Sequence, residues 1–331
     1  MSAAEELDPW LLAHLACPLD KKGLTPAGHA LICPSGHSYP VVHGIPVMLV
    51  ESASPTHPAI PKTLEEVSGA RPMQNPSLEG DGAIDPVVQV IVSATCGYLY
   101  QHLPGRLARY PIPDLRLPES DGDRFLDIGC NWGRWCVAAH RKGYSPVGLD
   151  PDLGPIFAAR RVCRSLSVDA TFVVGDARFL PFSSEAFDVT FSYSVLQHFS
   201  KSDARQSLGE VARVLTRDGT SMIQMPNAFG GRSLYHLLRR GFSSGREFDV
   251  RYWTPRELRK TFSELIGPSE LSVDGFGGLG IQRADRELFP PSYRFIVDAS
   301  EALRRLSAFV PFLENVADSI YVTSRRRSVP V

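Results

Sequence analysis

Residues 125–152 read FLDIGCNWGRWCVAAHRKGYSPVGLDPD, two apolar runs joined by a glycine-bearing turn and a helix-like stretch, with the second run ending on an acid. The first run leads into Gly129, Asn131 and Gly133, and the helical pattern starts straight afterwards. Such a turn exposes backbone N–H groups at the positive end of a helix. Glycine is needed where φ is positive or where a ligand comes close to the main chain, and asparagine best replaces it in the left-handed region. At the end of the next strand Asp150 stands beside the turn in a parallel sheet, within reach of a ribose if a nucleoside lies across the strand ends. The turn is expected to hold a ligand's polar tail, and Asp150 its sugar.

Outward from this stretch, strands and helices alternate. A helix over about 86–103 leads to the strand Arg124–Ile128, a helix over 132–142, the strand Pro146–Leu149, a helix over 153–166 and the strand Thr171–Val174. The strand Phe187–Tyr193, a helix over 202–215 and the strand Thr220–Met225 follow. Strands joined by helices run parallel, because a crossover must return the chain to the same end of the sheet. The expected fold is α/β, a doubly wound seven-stranded sheet whose last strands lie near 270–274 and 318–324. Thr254, Pro255 and Glu257 open a helix with a capping box, and an amphipathic helix is expected around 293–308. Residues 8–50 read as a small β-rich module, 51–85 as a Pro- and Ser-rich linker, and 86–325 as the main domain with lid insertions at 226–252 and 276–318. Asp188 is expected to orient the fourth strand rather than to touch ligand.

Bulk properties narrow the function. Lys plus Arg number 35 against 36 Asp plus Glu, a net charge of −1, so no global field favours nucleic acid. Cys17, Cys33, Cys96, Cys130, Cys136 and Cys163 contain no C-x-x-C pair and suit a reducing cytoplasm. The opening MSAAEELDPWLLAHLAC carries acids where a signal peptide carries bases. The apolar run 87–100 falls short of the roughly 20 residues of a membrane span. A cytoplasmic protein without a membrane span is expected.

A dinucleotide fingerprint needs Gly or Ala where this chain has Arg134. The stretch instead resembles motif I of the class I S-adenosylmethionine-dependent methyltransferases, D/E-x-G-x-G-x-G, as Asp127, Gly129, Asn131 and Gly133. VVGDARFLPFSSEAFDVTFSYSVLQHFS (173–200) and GEVARVLTRDGTSMIQMPN (209–227) resemble the next two blocks of that family, most closely its ubiquinone-biosynthesis branch. The resemblance covers about 120–275 and implies S-adenosylmethionine as cofactor. It places Asp127 and Gly129 at the methionine end, Asp150 on the ribose, Asp176 with the Ala177 backbone on the adenine, and Tyr193 as a closing wall. Asn131 for the middle glycine and TRDG for the usual PGG turn are departures from the pattern.

Methyl transfer to a small-molecule acceptor follows, with oxygen the expected atom and nitrogen or carbon left open. His198 is the candidate catalytic base, since a free imidazole is largely neutral at pH 7 and can take a hydroxyl proton, the alternative being a histidine that only hydrogen-bonds its loop. The acceptor lid is expected from 226–252 and 276–292. Segment 230–260 carries eight basic residues (Arg232, Arg239, Arg240, Arg246, Arg251, Arg256, Arg259 and Lys260) against three acids, which reads by default as a solvated helix face and alternatively as a cluster that meets a phosphate or carboxylate on the acceptor. The alternatives are an RNA or protein methyltransferase, a non-catalytic partner of one, or an NAD-dependent oxidoreductase, which Arg134 disfavours.

LACPLDKKGLT with LICPSGHSYPVVHGIPVML resembles the zinc-ribbon-like module of the tRNA- and protein-methyltransferase activators. Where metal-binding members carry two C-x-x-C pairs, this chain has Asp20 for the second Cys, and Gly36 then His37 around the fourth position. Two thiolates, a carboxylate and an imidazole still suffice for tetrahedral Zn²⁺. Lost thiolates nonetheless favour a metal-free module held by Leu15, Ile32, Tyr39, Val41, Ile45 and Val47.

Overall fold

A computed structural model describes residues 7–72, 84–243, 245, 248–278 and 280–327. Arg246 of the basic cluster, residues 73–83 of the linker and Leu279 of the second insertion lie outside them. The N-terminal part holds helix α1 (Pro9–His14) and strands β1 (Thr25–Ala27), β2 (Ala30–Ile32), β3 (Ser38–Val42) and β4 (Ile45–Pro46), followed by helices α2 (Ala59–Val67) and α3 (Pro86–Cys96). Then come β5 (Arg124–Ile128), α4 (Arg134–His140), β6 (Ser145–Asp150), α5 (Leu153–Ser165), β7 (Thr171–Val174), β8 (Phe187–Ser192), α6 (Lys201–Val214) and β9 (Leu215–Pro226). The chain continues through α7 (Gly231–Arg239), α8 (Pro255–Leu265), β10 (Ser269–Gly275), α9 (Pro291–Ser307) and β11 (Ser319–Arg325).

The large sheet has the seven strands expected, in the order β10-β11-β9-β8-β5-β6-β7. β7, β6, β5, β8 and β9 run parallel, while β11 enters antiparallel between β9 and β10. The order reverses at β5, so ligands are favoured beyond the carboxyl ends of β5 and its neighbours. Asp188 joins strands as expected, accepting from the Arg124 backbone N–H at 3.0 Å and from the Thr216 hydroxyl at 3.3 Å. No helix among the described residues is long and apolar enough to cross a membrane.

Three local differences matter for the site. The helix expected over 86–103 stops at Cys96, because Gly97 adopts φ 111° and the chain resumes as a 3₁₀ turn. The segment 51–85 contains α2, which buries Ile60 and Thr63. The segment 226–252, read as a lid insertion, contains α7.

The four-stranded β1-β2-β3-β4 sheet is antiparallel and shares its core with the large sheet. Leu15, Tyr39, Val41, Ile45 and Val47 are buried, and Ile32 is half-buried. The module holds the end of β7 and the chain that follows it. Met48 N–H donates to the Val174 carbonyl at 2.7 Å, and Ala16 N–H to the Pro181 carbonyl at 2.9 Å.

Candidate active site

The glycine turn has the backbone its sequence requires. Gly129, Asn131 and Gly133 have φ of 78°, 48° and 81°, so Asn131 occupies the left-handed region in place of glycine. The reasons differ by position. A Cβ on Gly129 would fall inside the van der Waals radius of Val195 Cγ2, whereas one on Gly133 would press on Ala159 at 3.1 Å and upset the packing of α4 on α5.

Asp150 locks this turn. One carboxylate oxygen accepts from the Asn131 backbone N–H at 3.0 Å and the other from that of Asp152 at 3.0 Å. Burial still outweighs these bonds and, with the Asp152 charge, raises its pKa to about 7. Asp127 lies deeper. It accepts from the Cys136 thiol at 3.4 Å, its other oxygen has no partner among the described residues, and burial raises its pKa to about 7.

A cavity of about 460 Å³ opens above the turn, lined by Gly129, Asn131, Asp150, Asp176, Ala177 and Tyr193 among others. Six of the positions expected at a cofactor therefore share one space, while Asp127 and Gly133 lie outside its lining. Its size falls in the usual range for small-ligand sites. Asp176 receives the backbone N–H of Arg178 at 2.9 Å and its guanidinium at 2.7 Å, and Arg178 also binds the Ser54 carbonyl at 2.7 Å. Tyr193 gives its hydroxyl to Asp274 at 2.7 Å and stacks its ring near Trp135, 4.8 Å between centroids.

His198 also lines the cavity. Its Nδ1 lies 2.6 Å from the Phe248 carbonyl, its Nε2 3.1 Å from the Gln197 amide nitrogen, and its ring stacks on Phe248 at 3.9 Å. Burial lowers its pKa to about 4. Within the basic cluster, Arg240 pairs with Asp249, Arg259 with Glu314 and Lys260 with Glu264. Arg251 is the member that reaches this wall, its guanidinium on the Asp249 carbonyl at 3.1 Å and its backbone N–H on the Gln197 carbonyl at 2.7 Å.

Several lining residues carry no signal in the sequence. Thr56 and His57 come from the linker, and Ile91, Ala94, Thr95, Cys96 and Gly97 from the end of α3 and the residue after it. α2 is fastened to the Asp150 corner, where the Thr63 hydroxyl donates to the Pro151 carbonyl at 3.0 Å and Lys62 reaches Asp152 at 3.5 Å. The one available signal was Gly97, a helix stop inside an apolar run.

In the N-terminal module, Cys17, Asp20, Cys33 and His37 place one donor atom each within 4.8 Å of all the others. His37 Nδ1 is 3.4 Å from the Cys17 sulfur and 3.3 Å from that of Cys33. The donor set and its convergence fit a tetrahedral zinc ion.

Residues 125–219 match the family model described as a methyltransferase domain. The ubiquinone biosynthesis O-methyltransferase of Brucella ovis is 29% identical over 159 residues, which is 46% of this chain and 58% of that protein. The enzyme of the same name from a Chelativorans species is 30% identical over 152 residues, covering 46% of this chain and 56% of the relative. The chain thus matches somewhat over half the length of these relatives. The complex of the Haloferax volcanii Trm112 methyltransferase activator with a methyltransferase superposes with a TM-score of 0.44 at 20% identity, over 64% of this chain and 86% of that one. The turn, the Asp150 corner and the Asp176 segment all fall inside the stretch 125–219 that matches this model.

Proposed function

We propose that this protein transfers the methyl group of S-adenosylmethionine to the oxygen of a small acceptor. The observation that carries the reading is the convergence of Gly129, Asn131, Asp150, Asp176 and Ala177 on one cavity at the switch point of the sheet. The cofactor supplies an already activated methyl, so the protein's task is to position, to exclude water and to let the acceptor proton leave. Asp150 accepts the ribose hydroxyls, the turn backbone binds the methionine end, and Asp176 with the Ala177 backbone receives the adenine. The name carried by the two relatives supports oxygen as the methylated atom. Incubating the full chain and methyl-labelled cofactor with a metabolite extract should yield a labelled small molecule. Label found only in RNA or protein would favour the macromolecular alternative.

His198 is better placed to orient than to take a proton, because both ring nitrogens are engaged and its pKa is lowered to about 4. The neutral imidazole persists as pH rises above that value, so its titration leaves no limb in the rate near neutrality. Wild type and His198→Ala should give parallel rate profiles between about pH 6 and about pH 8. A wild-type limb near pH 6.5 that vanishes in the variant would restore the base assignment.

For the module, we propose that Cys17, Asp20, Cys33 and His37 hold a structural zinc ion. Purified protein is expected to carry about one zinc per chain, and Cys33→Ser to lose it along with thermal stability. Zinc-free protein of full stability would return the module to the metal-free reading.

A further inference from the structure

The chain that leaves the N-terminal module follows the carboxyl edge of the large sheet. Met48 is bonded at the end of β7, where its N–H meets the Val174 carbonyl at 2.7 Å. Ser54 is held farther on, its carbonyl accepting from the Arg178 guanidinium at 2.7 Å. The other end of the crossing lies at β6. Thr63 gives its hydroxyl to the Pro151 carbonyl at 3.0 Å and accepts from the Leu153 N–H at 3.3 Å, and Lys62 reaches Asp152 at 3.5 Å. Because β6 and β7 are neighbours, residues 54–63 form a strap across the gap between their carboxyl ends. That is the edge at which a parallel sheet offers its ligand site.

Two strap residues, Thr56 and His57, line the cavity beside Asp150, Asp152, Asp176 and Ala177. The His57 ring is held in one orientation. Its Nδ1 lies 3.0 Å from the Ala59 backbone N–H, which can only donate, so Nδ1 is the acceptor and the neutral ring carries its proton on Nε2. Burial lowers the His57 pKa and keeps that neutral form near pH 7. Phe248 stands almost perpendicular to the ring, 4.7 Å between centroids, and braces it from the insertion after β9. The same ring feels the Asp152 charge, which places it at the Asp150–Asp152 corner of the cavity. The lining holds three aspartates and, among the described residues, no Lys or Arg, so it suits a nucleoside without phosphates.

We propose that the strap closes over the nucleoside half of S-adenosylmethionine and that His57 is its cofactor-contacting residue, the ring forming a wall of the nucleoside pocket. The inference rests on the methyl-transfer reading and adds to it a residue outside the matched stretch 125–219. A ring wall of this kind gains affinity by stacking and by keeping water from the base.

The test titrates the full chain with S-adenosylhomocysteine and with 5′-methylthioadenosine, which keeps the nucleoside and lacks the amino-acid arm. His57→Asn removes the ring and spares the turn, because an asparagine oxygen accepts from the N–H two residues on, as Nδ1 does. Both ligands should weaken by the same factor, about tenfold, the size of one lost aromatic contact to a base. The ligand-free variant should melt with wild type. A second measurement needs no variant: the His57 ring resonances of wild type should shift in an NMR titration with 5′-methylthioadenosine. Four results would each overturn the assignment. They are wild-type affinity of His57→Asn for both ligands, a loss confined to S-adenosylhomocysteine, ring resonances that do not move, and wild type that binds S-adenosylhomocysteine but not 5′-methylthioadenosine. Wild type separates the two levels. If it binds both ligands and the variant binds them equally well, only the strap assignment is wrong; if it binds neither, the methyl-transfer reading falls as well.

Discussion

Gly129→Ala should cost this protein at least about 30-fold in S-adenosylmethionine affinity and lower its melting temperature. Two effects add at this position. The backbone sits at φ 78°, where an L side chain is strained by roughly 1–2 kcal/mol. The new methyl would also collide with Val195 Cγ2, and overpacking of this kind costs roughly 1–3 kcal/mol. Relief requires either the turn or the Val195 segment to move, and both border the cavity. The backbone N–H of Gly129 is bonded to the Leu149 carbonyl at 2.7 Å, so a shifted turn also pulls on the strand that carries Asp150. Calorimetric titration of the purified variant reads the affinity, and a thermal melt the strain. A variant with wild-type affinity would mean that this turn does not face the ligand.

Asp150→Ala should weaken cofactor binding by about 1–3 kcal/mol, roughly 5- to 150-fold, because the ribose hydroxyls lose a charged acceptor. The variant also frees the backbone N–H groups of Asn131 and Asp152, so part of the loss comes from a looser turn. The effect carries a pH signature. Asp150 titrates at about 7 in the folded protein, well above an unfolded aspartate. The folded state therefore binds this proton more tightly than the unfolded state. The stability it contributes is complete below the unfolded value and is lost as pH climbs through about 7. Ribose binding wants the ionised form, so the dependence of affinity runs the other way. Affinity should rise about tenfold from about pH 6 to about pH 8 and then level off. Asp150→Asn should flatten that curve, and a curve unchanged in Asp150→Asn would remove the acid from the ribose contact.

What could be read in the sequence was local. Residues 125–152 carry the strand, turn, helix and second strand in one short segment, so periodicity and glycine placement were enough to place Gly129, Asn131 and Asp150. The same patterns could not show which residues turn away from the cavity toward other partners. Asp127 shares the motif but points beneath the turn to Cys136, and Gly133 serves helix packing. α2 was invisible because its short apolar set lies among prolines and is fixed by contacts with Pro151 and Asp152 about ninety positions away. His198 looked like a free imidazole in sequence, yet burial lowers its pKa and its Nδ1 is held by the Phe248 carbonyl, 50 residues on in a segment without periodic pattern. Cys17, Asp20, Cys33 and His37 could be named from the module's resemblance, but their convergence needed the fold.

The most direct measurement is calorimetric titration of the full chain, in parallel, with S-adenosylmethionine and with NADH. One equivalent of S-adenosylmethionine should bind, with affinity reduced in Asp150→Ala, and NADH should give no binding heat. Binding of NADH, or silence toward S-adenosylmethionine in properly folded protein, would contradict a methyl-transfer site at the turn of residues 129–133.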